Sequence, residues 1–513
     1  MLQSTTRFRS RTGRLLVLTL LCVGLLFATG CDSFLETTPQ GNLTTENFYE
    51  SPADAEKAIA AAYSGLQDPG VDFQLPYYIT FGNVASDDAR KGGESGNDQP
   101  DIQAVQNFVH NPTNAYVNIA WTQLYQGVRL ANLVIDRIPS IEMDEALKTR
   151  YIAEAKFLRA YYYHYLLLHF GLDGEGVPLI LEPVQNDEAN VDKTPEAEVW
   201  AQVEQDLREA AEVLPESYDA GNLGRATRGA AEALLVKAYM FQDKFPEAET
   251  LAADIVQNGP YRLTPSYSEV FTLDGEYGPG SIFEINYENV VARDEGTDAT
   301  VYQTSRSTWG YGFNCPTESL IDSYESGDPR LDATIIEDGE EMPDGSVIST
   351  AASPTGFHNE KIWIPENAWP QNNGGQVIDG PTNRRVIRLA QVLLWHAEAA
   401  AENGNLPAAR ASLNRVRARA RDNDDNPSND PAILPDITTN DQALLLEAIY
   451  REQRAELAME SHRYFTLVRQ GRIADAMADF GATNFTSGKH ERLPIPQLQL
   501  DLSQGVITQN PGY

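Results

Sequence analysis

The chain has 513 residues, 42% hydrophobic and 22% charged, which excludes a disordered or collagen-like polymer and leaves ample length for a large core. Thirty-nine basic residues face 74 acidic ones, a net charge of −35 at pH 7. That field repels phosphate backbones and argues against nucleic acid as a partner; it also disfavours docking on anionic lipid through a basic patch.

The first thirty residues read as an address. Arg7, Arg9, Arg11 and Arg14 form an acid-free cationic start, followed by 14 apolar residues from Leu15 to Ala28. A membrane helix needs about 20, so the run suits an export signal better than a span. It ends in Ala28-Thr29-Gly30-Cys31 and then Asp32-Ser33, which resembles a bacterial lipoprotein signal with Cys31 as the lipidated residue. Ala28 stands where such signals prefer Leu; the alternative is an ordinary secretory signal with an incidental Cys31. Loss of residues 1–30 removes four arginines and takes the net charge to −39. Cys22 leaves with the signal, so Cys315 remains alone, no disulfide is expected, and Cys315 reads as a packing residue. No other stretch reads as membrane-spanning. The chain is expected to be anchored to a membrane through lipid at Cys31.

Residues 32–50 read as a polar tether. Ser51-Pro52 then opens a helix over Ala53–Leu66. Residues 67–112 are loop-rich, with Gly and Asp clusters around Asp87-Asp88 and Gly92–Pro100. From Asn114 the helical period returns, with Ile119, Leu124, Val128, Val134 and Ile135 on one broad stripe. Glu145–Phe170 is stronger still. Its second half, FLRAYYYHYLLLHF, is apolar nearly all round and predicts burial on most faces. A helix over Pro195–Val213 takes Thr194 as its N-cap, and another spans Thr227–Phe241.

Two segments share one plan: ALLVKAYMFQDKFPEAETLAADIV (233–256) and VLLWHAEAAAENGNLPAARASLNRV (392–416). Each is an apolar helix with small packing residues, a polar turn, and a second helix opening near proline. That is the logic of a tetratricopeptide hairpin, whose neighbours stack to bury one face each. Residues 259–385 read as irregular with short strands, SIFEINY (281–287) among them. Gln442–Asp479 supplies the last helices, with Glu447 and Arg451 spaced for an i,i+4 pair. Residues 492–513 read as an extended tail.

From Cys31 to Tyr513 the chain resembles the SusD/RagB family, surface lipoproteins that partner TonB-dependent transporters. The resemblance rests on DSFLETTP after the lipid cysteine, FYESPADAEKAIAAAYSGL (48–66), AEAKFLRAYYYHYLLLHFGLDGEGVPLI (153–180), TRGAAEALLVKAYM (227–240), PTESLIDSYESGDPR (316–330), IRLAQVLLWHAEAAAENG (387–404), IYREQRAELAMESHRYFTLVRQG (449–471) and the closing RLPIP…QNPGY, all in register. One departure is Ser461, where the family usually has Gly before its basic pair and aromatic. The resemblance implies a mainly α fold, about four tetratricopeptide-like helix pairs supporting a large irregular half. Residues 51–513 would be one body, with helical repeats mainly at 51–66, 114–258 and 386–480. The loop-rich, ligand-facing half would lie mainly at 67–112 and 259–385. It also implies non-catalytic capture of a nutrient, usually an oligosaccharide, at the outer-membrane surface and delivery as a lid to a SusC-like transporter, with no cofactor.

Sugar binding needs flat apolar faces for pyranose C–H groups and planar polar groups for hydroxyls. Trp309, Tyr311 and Phe313, spaced by Gly310 and Gly312, fit that need just before Pro316, where the resemblance places the ligand face. Asp87, Asp88, Arg90 and Asn97 lie in the early loop expected as a second edge. Tyr77 and Tyr78 precede it, one of them expected in the core; of these Tyr78 is the ligand candidate. Trp363 and Trp369 flank Pro365 in a further aromatic loop. Trp121, Trp200 and Trp395 sit at apolar helical spacing and read as core.

The sequence contains no G-x-S-x-G elbow, H-E-x-x-H or P-loop. His164 and His169 do not share a helix face, and no metal site is expected. Asp422, Asp424 and Asn426 open like a calcium loop, but Pro427 and Ile433 replace its turn glycine and bidentate glutamate, so a solvated loop is expected. Two other readings remain: an exported tetratricopeptide scaffold for a protein or peptide, and a helical glycoside hydrolase.

Overall fold

The computed structural model describes residues 48–67, 76–171, 173–184, 189–288, 296–368, 380–422, 430 and 432–513. The chain divides into two compact units, Met1–Glu50 and Ser51–Tyr513, and the second carries everything that follows. Cys22, Cys31, Trp369, Asp424 and Asn426 lie outside the described residues.

Polar caps set the helix starts. In α1 (Pro52–Ser64), Ser51 and Asp54 close a reciprocal capping box. After a short helix, α2 (Pro100–Gln106), come α3 (Ala115–Arg137), capped by Asn114, and α4 (Glu145–Phe170), capped by Asp144. The next helices are α5 (Glu196–Val213), α6 (Arg228–Met240), capped by Thr227, and α7 (Phe245–Asn258). Pro195, not Thr194, occupies the cap position of α5, and no side chain caps that end. Short α8 (Asp298–Gln303) precedes α9 (Leu389–Glu402), α10 (Leu406–Arg421), α11 (Gln442–Glu456) and α12 (Arg463–Arg469).

Eight successive helices among the described residues, α3–α7 and α9–α11, form the scaffold, as four helix pairs require, and α1, as long as α6, packs on α3. Each packs on the next, and α7 packs directly on α9, so the array is continuous although the irregular segment lies between them in sequence. Every residue of α4 from Phe157 to Phe170 is buried, and Trp121, Trp200 and Trp395 lie in the core. Both hairpins expected from sequence are present, as α6–α7 and α9–α10.

Among the described residues the irregular half holds four two-stranded antiparallel ladders: β1 (Ala89–Gly92) with β3 (Phe313–Pro316), β2 (Ser281–Ile285) with β8 (Arg384–Arg388), β4 (Ile335–Ile336) with β7 (His358–Asn359), and β5 (Glu340–Glu341) with β6 (Val347–Ile348).

An ionic hub fastens this half to the helices. Glu456 is fully buried and accepts from Arg330 at 3.0 Å, from Arg388 at 2.6 Å and from Arg419. Glu452 accepts from Arg330 at 2.6 Å and from Arg417 at 2.9 Å, and Glu460 binds Arg388 and Lys361. Burial opposes the charge on Glu456, but Arg419, Arg388 and Arg330 overcome it and hold the carboxyl far below its ordinary range. These acids sit four residues apart along IYREQRAELAMES, which explains that segment's composition. The i,i+4 pair expected of Glu447 and Arg451 does not form; Glu447 instead pairs with Arg472 at 3.0 Å.

Candidate functional site

Antiparallel pairing brings the two loops singled out in sequence together. Arg90 stands opposite Cys315 and Gly92 opposite Phe313, and the ladder is extended by Gly93 N–H donating to the Gly312 carbonyl at 2.8 Å. Gly92 has a φ of 73°, and a Cβ there would lie 2.1 Å from the Gly312 oxygen, so the strands meet only with glycine in place. Beyond the ladder, Arg306 donates to Asp98 at 3.0 Å, and Asp98 also accepts from the Glu94 amide. Lys91 is buried and spans the same early loop, donating to the carbonyls of Ser95 and Asp98.

The aromatic loop is tied to α8 from below. Tyr311 N–H donates to the Val301 carbonyl and Gly312 N–H to that of Thr304, both at 2.9 Å. Asn314 adopts a left-handed φ of 55°, and its amide donates to Gln303, which also accepts from Asn359. This buried amide triad joins α8, β3 and β7 under the loop. The Tyr302 ring lies tilted between those of Tyr311, at 5.3 Å, and Phe313, at 5.8 Å. Its hydroxyl is buried with no partner among the described residues, and burial pushes its pKa well up.

The expected ligand residues separate into two groups. Trp309, Tyr311 and Arg90 are half-buried and Asn97 is exposed, so these reach the rim of the joined loops. Arg90 lies 4.0 Å over the Phe480 ring. Phe313, Asp87, Asp88 and Tyr78 lie inside the protein, which revises the expectation for them. Phe313 packs under Tyr302. Asp87 is gripped by Arg463 at 2.8 and 2.9 Å and by Arg454 at 3.0 Å, and Asp88 binds Arg454 at 2.8 Å. Burial raises the Asp88 carboxyl, whereas at Asp87 Arg463 and Arg454 outweigh burial and lower it. Tyr77 and Tyr78 are both buried, and the Arg384 guanidinium lies 3.4 Å over the Tyr78 ring. Trp363 is half-buried against Ile336, Met342 and Ile348. Sequence reasoning missed Tyr302, Arg306 and Asp98; Arg306 stands three residues before Trp309 and Asp98 one after Asn97.

Cys315 is buried, and its thiol donates to the Gly312 carbonyl at 3.2 Å. Among the described residues no cluster of His, Cys, Asp and Glu is arranged to hold a metal, and no helix is long and apolar enough to cross a membrane. An open cavity of about 800 Å³ lies elsewhere, between α3, residues 178–184, residues 189–190 and the short helix Gln497–Leu502. None of the expected ligand residues lines it.

The comparisons agree with this architecture. The model of the SusD family matches residues 279–513, and one described as starch-binding and associating with the outer membrane matches residues 33–240. A laminarin-binding SusD-like protein superposes with a TM-score of 0.79 at 31% identity, over 91% of this chain and 100% of its own. The chain belongs to the SusD/RagB family. A second SusD-like structure, surface glycan-binding protein A from Bacteroides thetaiotaomicron in complex with laminarihexaose, gives a TM-score of 0.76 at 26% identity, over 90% of this chain and 99% of that one. A SusD-like protein of Bacteroides ovatus is 26% identical over 90% of this chain and 84% of its own. The SusD assignment accounts for Ser461. Its φ of 65° is the left-handed conformation that favours the family's usual glycine.

Proposed function

We propose that this SusD-family chain captures an oligosaccharide at the cell surface without cleaving it, then delivers it as a lid to a SusC-like TonB-dependent transporter. In this reading residues 1–30 are the signal, Cys31 carries the lipid, and residues 51–513 form one binding body. The observation that carries it is the joined rim. Half-buried Trp309 and Tyr311 stand on a loop braced by the Gln303 triad, beside exposed Asn97 and the Arg306–Asp98 pair. Flat rings offer faces to sugar C–H groups, and the ion pair and amide offer planar partners to hydroxyls. Binding of laminarin and laminarihexaose by the two SusD-like relatives makes a β-glucan of that type the first ligand to test. A hydrolase would need two free carboxylates flanking the sugar; Asp98 is committed to Arg306.

One observation favours a protein contact as well. Leu181, Val191, Leu498, Leu502 and Val506, half of the exposed large hydrophobic side chains described, lie on or beside the segments bounding the 800 Å³ groove. Exposed aliphatic clusters of this kind suit protein surfaces better than sugars.

Calorimetric titration with laminari-oligosaccharides and α-glucans, with product analysis, tests the proposal. Saturable binding without cleavage is expected. Silence across the panel contradicts it, and turnover would restore the hydrolase reading.

A further inference from the structure

Buried bases are costly unless compensated, because an ion loses its hydration on leaving water. Seven of the eight buried Lys and Arg residues described meet that requirement. Arg159 binds Asp206; Arg330, Arg388, Arg417 and Arg419 bind the acids of the hub; Lys361 binds Glu460; Lys91 lies between two carbonyls.

Lys237 is the exception. It projects from α6, is 4% exposed, and among the described residues its ammonium meets only the Tyr165 hydroxyl, at 3.2 Å, lying 4.9 Å from that ring's centroid. An ammonium has three donors, and one is used. It borders a cavity of about 20 Å³ between α4, α6, α9 and the segment entering α12. No carboxylate lines that cavity. Arg469 at its edge is charge-paired with Glu398, with two contacts of 2.7 Å.

The acid whose charge reaches His462, Glu460, is itself paired with Arg388 and Lys361. His462 shares a 3.2 Å contact with the Gln391 amide, and burial, with Lys237 next in weight, pushes its pKa down to about 3, so it is neutral at pH 7. Arg384, stacked on Tyr78, contributes a second positive field, with no acid partner among the described residues. Although burial opposes ionisation of Tyr165, Lys237 and Arg384 together draw its pKa below the ordinary phenol value. Lys237, Tyr165 and Gln391 all line the cavity; the Tyr165 hydroxyl already meets Lys237 and Tyr161, the Gln391 amide has one N–H beyond its contact with His462, and Lys237 has two N–H groups without a partner among the described residues. A space of this volume admits one species about the size of a water molecule.

We propose that the cavity beside Lys237 binds one small monovalent anion, a halide such as chloride, held by the Lys237 ammonium with the Tyr165 hydroxyl and the Gln391 amide. The halide supplies the countercharge that Lys237 otherwise lacks. It also pins three elements to one point, α4 through Tyr165, α6 through Lys237 and α9 through Gln391, whose amide in turn meets His462 at the α12 entry. Halide binding therefore stabilises the folded chain and leaves the distant aromatic rim unchanged.

The test uses the full chain. Crystals grown in sodium bromide should show an anomalous peak in contact with the Lys237 ammonium. Thermal unfolding at constant ionic strength should show a saturable rise of about 2 °C with chloride or bromide relative to gluconate, which is too large for the cavity. K237M should lose the rise. A water in place of bromide, an equal response to gluconate, or a phenolate absorbance from Tyr165 at neutral pH would each overturn the assignment. If K237M does not fold, the bromide peak in the unaltered chain decides.

Discussion

Arg306 donates to the Asp98 carboxylate at 3.0 Å across 208 residues of chain, and so ties the aromatic loop to the early loop at the rim. Both side chains are partly exposed, at 28% and 27%, so the pair contributes little to global stability. Its value lies in orientation. R306A and D98A should leave the melting temperature nearly unchanged while weakening glycan binding several-fold, on the order of 1 kcal/mol. Calorimetry beside thermal melts checks both halves; an unaffected affinity removes the pair from the site.

Glu456 faces three guanidinium groups in the interior. E456Q leaves those charges partly uncompensated and should destabilise the fold by about 3–5 kcal/mol. Denaturant unfolding measures this, and a loss under about 1 kcal/mol would show that the hub is not what fastens the two halves.

All seven histidines are held below their ordinary range chiefly by burial. His110 and His462 lie at about 3, His169, His358 and His490 at about 4, and His164 and His396 are lowered as well. Between those values and about 6.5 the unfolded chain binds protons that the folded chain refuses, so stability is full above that window and falls as pH drops through it. The slope reaches about 1.4 kcal/mol per pH unit for each histidine. Glu460, held at about 2, extends the loss further into acid, while Asp88 and Asp206, raised by burial, offset part of it. Melting temperature should therefore decline steadily from pH 7 to pH 4, and a flat profile would contradict the burial assigned to these rings.

Ser461 occupies a left-handed conformation, and a Cβ at Gly82 would lie 2.3 Å from its carbonyl oxygen. S461G should raise stability by about 1 kcal/mol by relieving that φ, whereas G82A should lower it by more. Chemical denaturation of the two variants checks the pair of signs.

The helical half was largely legible from sequence because its signals are local. Period and hairpin turns placed α4 over Glu145–Phe170 and found both tetratricopeptide hairpins, whereas the cap expected at Thr194 is absent. The irregular half was not legible in the same way. Asp87 and Asp88 have the composition of a ligand loop, yet their partners Arg454 and Arg463 lie over 360 residues away. Phe313 belongs to the same spaced aromatic run as Trp309, but the β1–β3 ladder turns it inward. Glu447 found Arg472 in place of Arg451 for the same reason, since tertiary proximity outweighed helical spacing.

The central claim, that the joined rim binds sugar through Trp309, is tested most directly by the affinity of W309A for laminari-oligosaccharides measured by titration calorimetry. Loss of a stacked ring should weaken binding at least about tenfold, or 1.4 kcal/mol, with the fold intact by circular dichroism. Unchanged affinity would contradict the account and move the binding site away from the rim.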